Sequence, residues 1–247
     1  MTLLPMAATV RSIVRSLGQK IYLASDRANI DNIKHLGKRF GTPKRVLDLG
    51  CADGKITLEI CRAIGAQDIV GVERHEASRL AACDRGVHAV AADLDRSLPF
   101  DDNSFDLVLS NQVIEHLSET DRFVEEIYRV LVPGGVAIVS TENMASWHNV
   151  VALILGFAPF SAVNYSNRIY PLGNPLSIHQ GETLELHDGM VHRRIFTTTS
   201  LRALFAGHGF DVLGLLGAGY HPLPPAFGRV DVRHAHFITI AARKPSA

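Results

Sequence analysis

The sequence predicts an α/β fold in which a doubly wound, mostly parallel sheet of seven strands is covered by helices on both faces. Three observations support this prediction. Short apolar runs alternate with segments of helical periodicity between residues 45 and 141, the pattern of parallel strands joined by crossover helices. A glycine-containing turn directly follows the first run, as in sheets that bind ligands beyond the carboxyl ends of their strands. The chain ends with a helix and two apolar runs, which we expect to pair antiparallel.

The elements of the first half follow from local signals. Strands are predicted over residues 45–50, 68–74, 88–94, 105–111 and 132–141, and helices over 54–65, 76–84 and 118–131. Ser118 is the predicted N-cap of the last of these helices, because its hydroxyl can accept a hydrogen bond from a free backbone N–H. The turn at Pro133-Gly134-Gly135 leads into the fifth strand.

The second half contains a segment that does not follow this alternation. Residues 142–192 are rich in Asn, Ser, Gly and Pro and are too long for an ordinary connection, so they are expected to form a lid inserted between strands 5 and 6. A helix over 198–208 and strands over 210–217 and 234–243 follow. We expect a single domain, with an N-terminal helical cap (1–43), a ligand-binding core (44–141), the lid (142–192) and a C-terminal helix with two strands (193–247).

Composition excludes several classes of function. The chain has 247 residues, a formal net charge of +0 and a pI of about 7.2, so no strong field attracts nucleic acid or anionic lipid. Three cysteines form an odd count without metal-ligand spacing, which favours a reducing, cytoplasmic location and no metal. The apolar stretch near residues 151–160 is too short to span a bilayer, so at most peripheral membrane contact is expected. The oligomeric state stays open.

Polar residues follow four successive predicted strands. They are found in the turn DLGCADG (48–54), at Glu73, at Asp93 and at Asn111. The carboxyl ends of parallel strands meet at one edge of the sheet, so these side chains are expected to line one crevice. An ordinary tight turn is the alternative for the glycines. A nicotinamide dinucleotide is the alternative ligand, but it requires a G-x-G-x-x-G run, which GCADGK does not supply.

These and further motifs resemble class I S-adenosylmethionine-dependent methyltransferases of the small-molecule type, exemplified by ubiquinone- and menaquinone-biosynthesis methyltransferases. The matching segments are DLGCADG (48–54), VE (72–73), ADL (92–94), FDLV (105–108), IEHL (114–117), LVPGG (131–135) and HRRIFT (192–197) with Leu201, Leu204, Gly209 and Phe210. The resemblance covers residues 44–141 and 192–243. It implies a Rossmann-like fold with an antiparallel last strand, S-adenosylmethionine as cofactor and S-adenosylhomocysteine as product.

The resemblance also implies roles for individual residues. The cofactor's methionine part would lie against Asp48, Gly50, Cys51, Ala52 and Gly54, its ribose against Glu73, its adenine against Asp93 and Leu94, and its sulfonium and amino group beside Asn111 and Gln112. Two positions depart from the family pattern. Ala52 replaces the middle glycine of the turn, although alanine disfavours positive φ. Arg74 is charged where an apolar neighbour of adenine is common.

The acceptor is less well specified than the cofactor. Histidine suits a general base, and His116, His148 and His192 are the candidates, with a structural role open for each. Trp147, Arg168, Arg193 and Arg194 are expected at the acceptor site, where arginine could meet an acidic group. The expected acceptor is a small molecule methylated on oxygen. A lipid- or glycan-linked acceptor, a quinone carbon, and cofactor binding without turnover remain alternatives.

Overall fold

The computed structural model describes residues 3–162, 172–177 and 191–246. Seven strands form one sheet in the order β3-β2-β1-β4-β5-β7-β6. The strands are β1 (Arg45–Leu49), β2 (Asp68–Val72), β3 (His88–Val90), β4 (Phe105–Asn111), β5 (Leu131–Glu142), β6 (Asp211–Ala218) and β7 (Phe237–Arg243). The α-helices are α1 (Leu3–Arg39), α2 (Lys55–Ile64), α3 (Glu76–Asp84), α4 (Thr120–Val130), α5 (Trp147–Ile154) and α6 (Thr198–Gly207).

Strand directions confirm the predicted fold class. The pairs formed by β1 to β5 are all parallel, whereas β7 runs antiparallel to both β5 and β6. The carboxyl ends of β1, β2 and β4 therefore lie along one edge of the sheet. The order of strands reverses at β1, which places a crevice between the ends of β1 and β4, as expected for a doubly wound sheet.

The two faces of the sheet are buried by different helices, because successive strand residues point to opposite sides. Helices α1 and α2 cover one face with Ile30, Ile33, Leu36, Ile60 and Ile64. These side chains pack against the strand residues Val46, Leu107, Leu109, Val136 and Ile138. Helices α4 and α6 cover the other face with Phe123, Ile127, Leu201 and Phe205. These side chains pack against the strand residues Leu47, Leu49, Val108, Ala137 and Val139.

The start of α4 differs from the prediction. The helix begins at Thr120, and its N-cap residue is Glu119, which makes no side-chain capping hydrogen bond. Ser118 is therefore not the N-cap. Instead, the backbone N–H groups of Ser118 and Glu119 both donate to Oδ1 of Asp95, at 2.9 Å each. A carboxylate from a distant loop thus satisfies backbone donors near the helix start.

Two predicted strands are shorter than their apolar runs. Strand β3 ends at Val90, so Asp93 lies three residues beyond the ladder. Strand β7 begins at Phe237. The predicted strand 234–243 would place His234 and His236 on one face, because they are two residues apart. In the structure His234 lies in a 3-10 turn, whereas His236 is buried just before the strand.

The segment between β5 and β6 contains α5, which follows β5 directly. Its first turns are joined to the core by buried polar contacts, with Nδ2 of Asn149 donating to the Asn143 carbonyl at 3.0 Å and to Ser161 Oγ at 2.8 Å. Much of the rest of this segment lies outside the described residues, so the lid remains a prediction. Among the described residues, no helix combines the length and hydropathy needed to cross a bilayer.

Candidate active site

The turn after β1 has the backbone conformation that its glycines predict. Gly50 has φ 86° and Gly54 has φ 76°, both in the left-handed region. A Cβ on Gly50 would lie 2.5 Å from Cγ2 of Val113, so a side chain there is also excluded by space. Ala52 adopts φ 45° between them and keeps a left-handed conformation despite its methyl group. The turn is therefore open to a ligand but strained at one position.

Asp48 lies in a small cavity beneath this turn. The cavity has a volume of about 120 Å³, and its lining includes Asp48, Gly50, Cys51, Ala52, Ser110 and Asn111, with Ile33 of α1. Burial raises the pKa of Asp48 to about 6, although a hydrogen bond from Thr57 opposes the shift. Burial also raises the pKa of Cys51 to about 12, so this thiol is not a nucleophile near neutral pH.

Glu73 follows β2 and is joined to the same turn. Its Oε2 accepts from the backbone N–H of Ala52 at 3.1 Å, and its Oε1 accepts from that of His75 at 2.7 Å. The carboxylate therefore lies beside the turn at the sheet edge, as the sequence predicts. Arg74, the next residue, is exposed.

Asp93 does not line this cavity. It borders a separate open depression of about 670 Å³, together with residues from the loop before α4. Its Oδ1 accepts from the backbone N–H of Asp95 at 3.1 Å, and its Oδ2 lies 3.4 Å from Nε of Arg96. Leu94 is half-buried and packs against the core of the α4 face. The predicted adenine residues thus belong to a neighbouring surface.

Asn111 and Gln112 end β4 opposite the turn. Asn111 lines the cavity, and its Oδ1 accepts from Nδ2 of Asn29 at 2.8 Å. Gln112 has φ 56°, and both its backbone N–H and its Nε2 donate to Ser140, at 2.9 Å each. The left-handed conformation at Gln112 turns the chain sharply away from the strand after Asn111.

His116 and His192 come together beyond the end of β4. Their ring centroids are 4.9 Å apart. Nδ1 of His116 lies 3.3 Å from the Val191 carbonyl, and Nδ1 of His192 lies 2.8 Å from that of Ser161. A carbonyl can only accept, so each Nδ1 carries a proton and each neutral ring keeps its lone pair on Nε2. Burial lowers the pKa of His116 to about 4.

Glu115 is buried beside this pair. Its Oε2 accepts from Oγ1 of Thr141 at 2.9 Å, and its carbonyl accepts from the backbone N–H groups of Arg193 and Arg194. Burial is the main cause that raises the Glu115 pKa to about 7. The motif containing Glu115 is evident in the sequence, but its burial comes from a 3-10 turn (Ile114–His116) that no periodicity predicts.

The same three side chains have the spacing of a cation site. One carboxylate oxygen of Glu115 and one ring nitrogen from each of His116 and His192 lie within 4.8 Å of one another. Carboxylate and imidazole suit Zn²⁺ and related ions. The expectation that no metal takes part therefore remains a prediction.

His148 belongs to a different cluster. Its ring lies 4.5 Å from that of His236 and 5.0 Å from that of His221, measured between centroids. Burial lowers its pKa to about 3, and its Nδ1 is buried with no hydrogen-bond partner among the described residues. His148 is thus grouped with other histidines, apart from His116 and His192.

The predicted acceptor residues are only partly described. Trp147 begins α5, is 39% exposed, stacks on His234 with centroids 4.4 Å apart and donates from Nε1 to Tyr220 Oη at 2.7 Å. Arg193 and Arg194 are exposed, and Nη2 of Arg194 donates to the Ser118 carbonyl at 3.2 Å. Arg168 lies outside the described residues.

Comparison with known proteins indicates the family that the chain resembles. Residues 47–139 match the family model described as a methyltransferase domain. The ubiquinone biosynthesis O-methyltransferase of Chelativorans is 27% identical over 208 residues, which are 82% of this chain and 72% of that protein. Residues 47–139 are thus a methyltransferase domain of the S-adenosylmethionine-dependent type. Its cofactor is S-adenosylmethionine.

Further relatives of this methyltransferase vary in coverage. The chloroplastic tocopherol O-methyltransferase of Arabidopsis thaliana is 35% identical over 104 residues, which are 40% of this chain and 30% of that protein. A Thermotoga maritima structure, described as a possible histamine N-methyltransferase, is 19% identical, covers 92% of this chain and 93% of its own, and has a TM-score of 0.58. At this identity the structural likeness supports the fold alone.

The cavity residues fit the methionine part of the cofactor. A buried carboxylate at Asp48 suits its ammonium group, and the left-handed turn lets the backbone approach without a Cβ at Gly50 or Gly54. Sequence reasoning missed Asn29 and Ile33, although α1 supplies both to this region. Two asparagines three residues apart within an otherwise apolar helix face were the available signal.

Proposed function

We propose that this methyltransferase methylates a hydroxyl oxygen on a small aromatic acceptor. The observation that carries this proposal is the contact between His116 and His192, two imidazoles with Nε2 lone pairs close to the end of β4. A hydroxyl must lose its proton as its oxygen gains a methyl group, and a neutral imidazole can accept that proton. The two proteins described above that match by sequence, from Chelativorans and Arabidopsis thaliana, are O-methyltransferases by name.

The two histidines have different proposed roles. The low pKa of His116 makes it a poor proton acceptor near neutral pH, which favours His192 as the base. Oε2 of Glu142 lies 3.8 Å from Nδ1 of His192, where its charge would stabilise an imidazolium. His116 packs edge-on against this ring and holds it in place. His148, in its separate cluster, is proposed to be structural.

The cofactor, when bound, supplies a methyl group on a positively charged sulfur. Nε2 of His192 would accept the hydroxyl proton as the acceptor oxygen takes the methyl group, with S-adenosylhomocysteine as the leaving group. Asp48, Glu73 and Asn111 hold the cofactor in the proposed site, with Gly50 and Gly54 allowing close approach. Positioning of the two reactants in line accounts for much of the rate enhancement in such a displacement.

A lipid-linked acceptor is the second candidate. Helix α5 and the residue after it expose Val151, Leu153, Ile154 and Leu155, with Ile154 77% exposed. Exposed apolar side chains that are contiguous in this way are typical of surfaces that bind apolar ligands. In this proposal α5 forms one wall of the acceptor site, and the predicted lid 142–192 covers it.

The test is an acceptor panel assayed with methyl-labelled S-adenosylmethionine. Catechols and hydroquinones with increasing alkyl chain length are compared with amines such as histamine, and product mass identifies the methylated atom. A yield of O-methylated product that increases with alkyl chain length would favour the lipid-linked acceptor. The highest yield with short catechols would favour the small-molecule acceptor. Methylated amines would overturn the proposal. Tight S-adenosylhomocysteine binding with no product from any class would favour binding without turnover.

A further inference from the structure

Two asparagines occupy the buried face of α1. Asn29 and Asn32 are fully buried, although their neighbours Ile30, Ile33 and Leu36 cover the sheet with apolar side chains. A buried amide lowers stability unless its hydrogen bonds are satisfied. Asn32 donates from Nδ2 to the Gly217 carbonyl and accepts from Nε of Arg229, at 3.0 Å each. Its contacts therefore join α1 to the β6 side of the sheet, away from the cofactor cavity.

Asn29 is instead the centre of a chain of hydrogen bonds that ends in the cofactor cavity. Nε2 of Gln112 donates to Oγ of Ser140 at 2.9 Å. The Ser140 hydroxyl and the Thr239 hydroxyl donate to Oδ1 of Asn29, at 2.8 Å and 2.9 Å. Nδ2 of Asn29 then donates to Oδ1 of Asn111 at 2.8 Å.

These hydrogen bonds fix the orientation of two side-chain amides, those of Asn29 and Asn111. Among the described residues, Oδ1 of Asn29 accepts the hydroxyl protons of both Ser140 and Thr239, and a reversed Asn29 amide would leave these two buried hydroxyls without that acceptor, so the oxygen of Asn29 faces them. The amide nitrogen of Asn29 then faces Asn111, and Asn111 can accept from this donor only through its Oδ1. Nδ2 of Asn111 makes no hydrogen bond with the described part of the chain. Asn111 therefore offers a ligand N–H donors from its side chain.

We infer that Asn29 is a positioning residue of the cofactor site: it fixes the Asn111 amide so that its N–H donors serve the carboxylate of the cofactor's amino-acid part. A carboxylate accepts hydrogen bonds only, so a reversed Asn111 amide would present the wrong atom. Ile33, one turn farther along α1, lines the same cavity. The N-terminal helix is thus part of the cofactor site. This inference rests on the proposed assignment of Asn111 to that site.

The experiment measures ligand affinity by calorimetry for the full chain and five variants. The ligands are S-adenosylhomocysteine and 5′-methylthioadenosine, which keeps the adenosine and the sulfur but lacks the amino-acid carboxylate. Asn29→Ala is expected to weaken S-adenosylhomocysteine binding about tenfold, the effect of one hydrogen bond to a charged group. Its affinity for 5′-methylthioadenosine is expected to stay within about twofold of the unmodified chain.

Asn32→Ala is the matched control. It removes the same buried amide from the same helix, so its melting temperature is expected to fall comparably, but both affinities are expected to stay within about twofold. Asn29→Asp keeps the size of the side chain and replaces the donor by an oxygen. It is expected to weaken S-adenosylhomocysteine binding as Asn29→Ala does, and it preserves the test if the alanine variant does not fold.

Asn111→Ala separates failure of this inference from failure of the site assignment. Unchanged S-adenosylhomocysteine affinity in Asn111→Ala would show that the assignment of Asn111 is wrong. Reduced affinity in Asn111→Ala with unchanged affinity in both Asn29 variants would overturn the inference alone. Equal weakening of both ligands by Asn29→Ala would also overturn it, because a general disturbance of the site does not depend on the carboxylate. In the double variant Asn29→Ala/Asn111→Ala, affinity is expected to match that of Asn111→Ala alone.

Discussion

The hydroxyl of Thr57 donates to Oδ2 of Asp48 at 2.5 Å, and both side chains are buried where β1 passes into α2. This contact favours the ionised carboxylate, whereas burial disfavours it more strongly and raises the Asp48 pKa to about 6. Glu73, joined to the same turn, adds a like charge that acts in the same direction as burial. A cationic group bound beside Asp48 would therefore stabilise its ionised carboxylate.

The first prediction concerns the pH dependence of cofactor binding. Below pH 6 Asp48 is mainly protonated and cannot attract the ammonium group of the ligand, so S-adenosylhomocysteine affinity is expected to rise between pH 5 and pH 7. Calorimetry at several pH values measures this rise. Asp48→Asn is expected to bind more weakly and to lose most of the pH dependence, and an unchanged dependence in that variant would exclude Asp48 as its source.

The same group affects stability with a defined sign. The folded-state pKa of Asp48, about 6, is above its ordinary value of 3.8, so the folded chain binds more protons between these pH values. The contribution of Asp48 to the free energy of unfolding is therefore present below pH 4 and is lost as pH rises to about 6. The difference in this free energy between Asp48→Asn and the unmodified chain should shift in favour of the variant over that range.

The second prediction concerns Ala52, which has φ 45° in the turn after β1. An alanine in the left-handed region costs about 1 kcal/mol relative to a residue without a Cβ. Ala52→Gly is expected to increase the free energy of unfolding by up to that amount and to raise the melting temperature by about 2 to 4 °C. Calorimetric unfolding measures both. Ala66→Gly, outside the turn, is the control and should not stabilise the chain.

The third prediction tests Glu73 as the ribose ligand. Glu73→Ala is expected to weaken S-adenosylhomocysteine binding about tenfold or more, because hydrogen bonds between a carboxylate and ribose hydroxyls are lost. It also removes the acceptor for the Ala52 and His75 N–H groups, so a small loss of stability is expected. Glu76→Ala removes an exposed carboxylate three residues away and should leave affinity unchanged. Early unfolding of Glu73→Ala with normal affinity would overturn the ribose role.

Periodicity was sufficient for the order of elements because the central strands are buried on both faces and therefore read as short apolar runs. It overextended β3 and β7, because an apolar run continues beyond the point where a neighbouring strand is available for pairing. The start of α4 was wrong for a related reason. The Asp95 carboxylate that accepts from Ser118 and Glu119 comes from a separate loop, which local signals cannot reveal.

Part of the candidate site could also be predicted from the sequence. The turn, Glu73 and Asn111 follow strand ends and share one edge, as the sequence indicates. Asn29 could not be found in this way, because its partners Asn111 and Thr239 are 82 and 210 residues away in the chain. The pairing of His116 with His192 likewise depends on a fold-back contact, in which Val191 reaches the end of β4.

The fourth prediction concerns Trp147 at the start of α5. Trp147→Ala is expected to raise the acceptor KM several-fold, because it removes an exposed aromatic wall stacked on His234. S-adenosylhomocysteine affinity should not change, since Trp147 is not among the described residues that line the cavity at Asp48. Ile154→Ala is the control at the other end of the helix. If it raises KM for long-chain acceptors alone, the apolar face of α5 also contacts the acceptor.

The fifth prediction separates the two paired histidines by rate. His192→Phe is expected to lower kcat by a factor of about 100 or more, because the proton acceptor is lost, with S-adenosylhomocysteine affinity within about threefold.

His116→Phe keeps an aromatic ring against His192 and is expected to lower kcat less. Glu142→Gln should lower it to an intermediate extent, since the carboxylate lies 3.8 Å from the His192 ring. His35→Ala, on the exposed side of α1, is the control. The decisive measurement is the comparison of kcat between the two phenylalanine variants. The loss of kcat should be larger in His192→Phe than in His116→Phe, and the reverse order would make His116 the base.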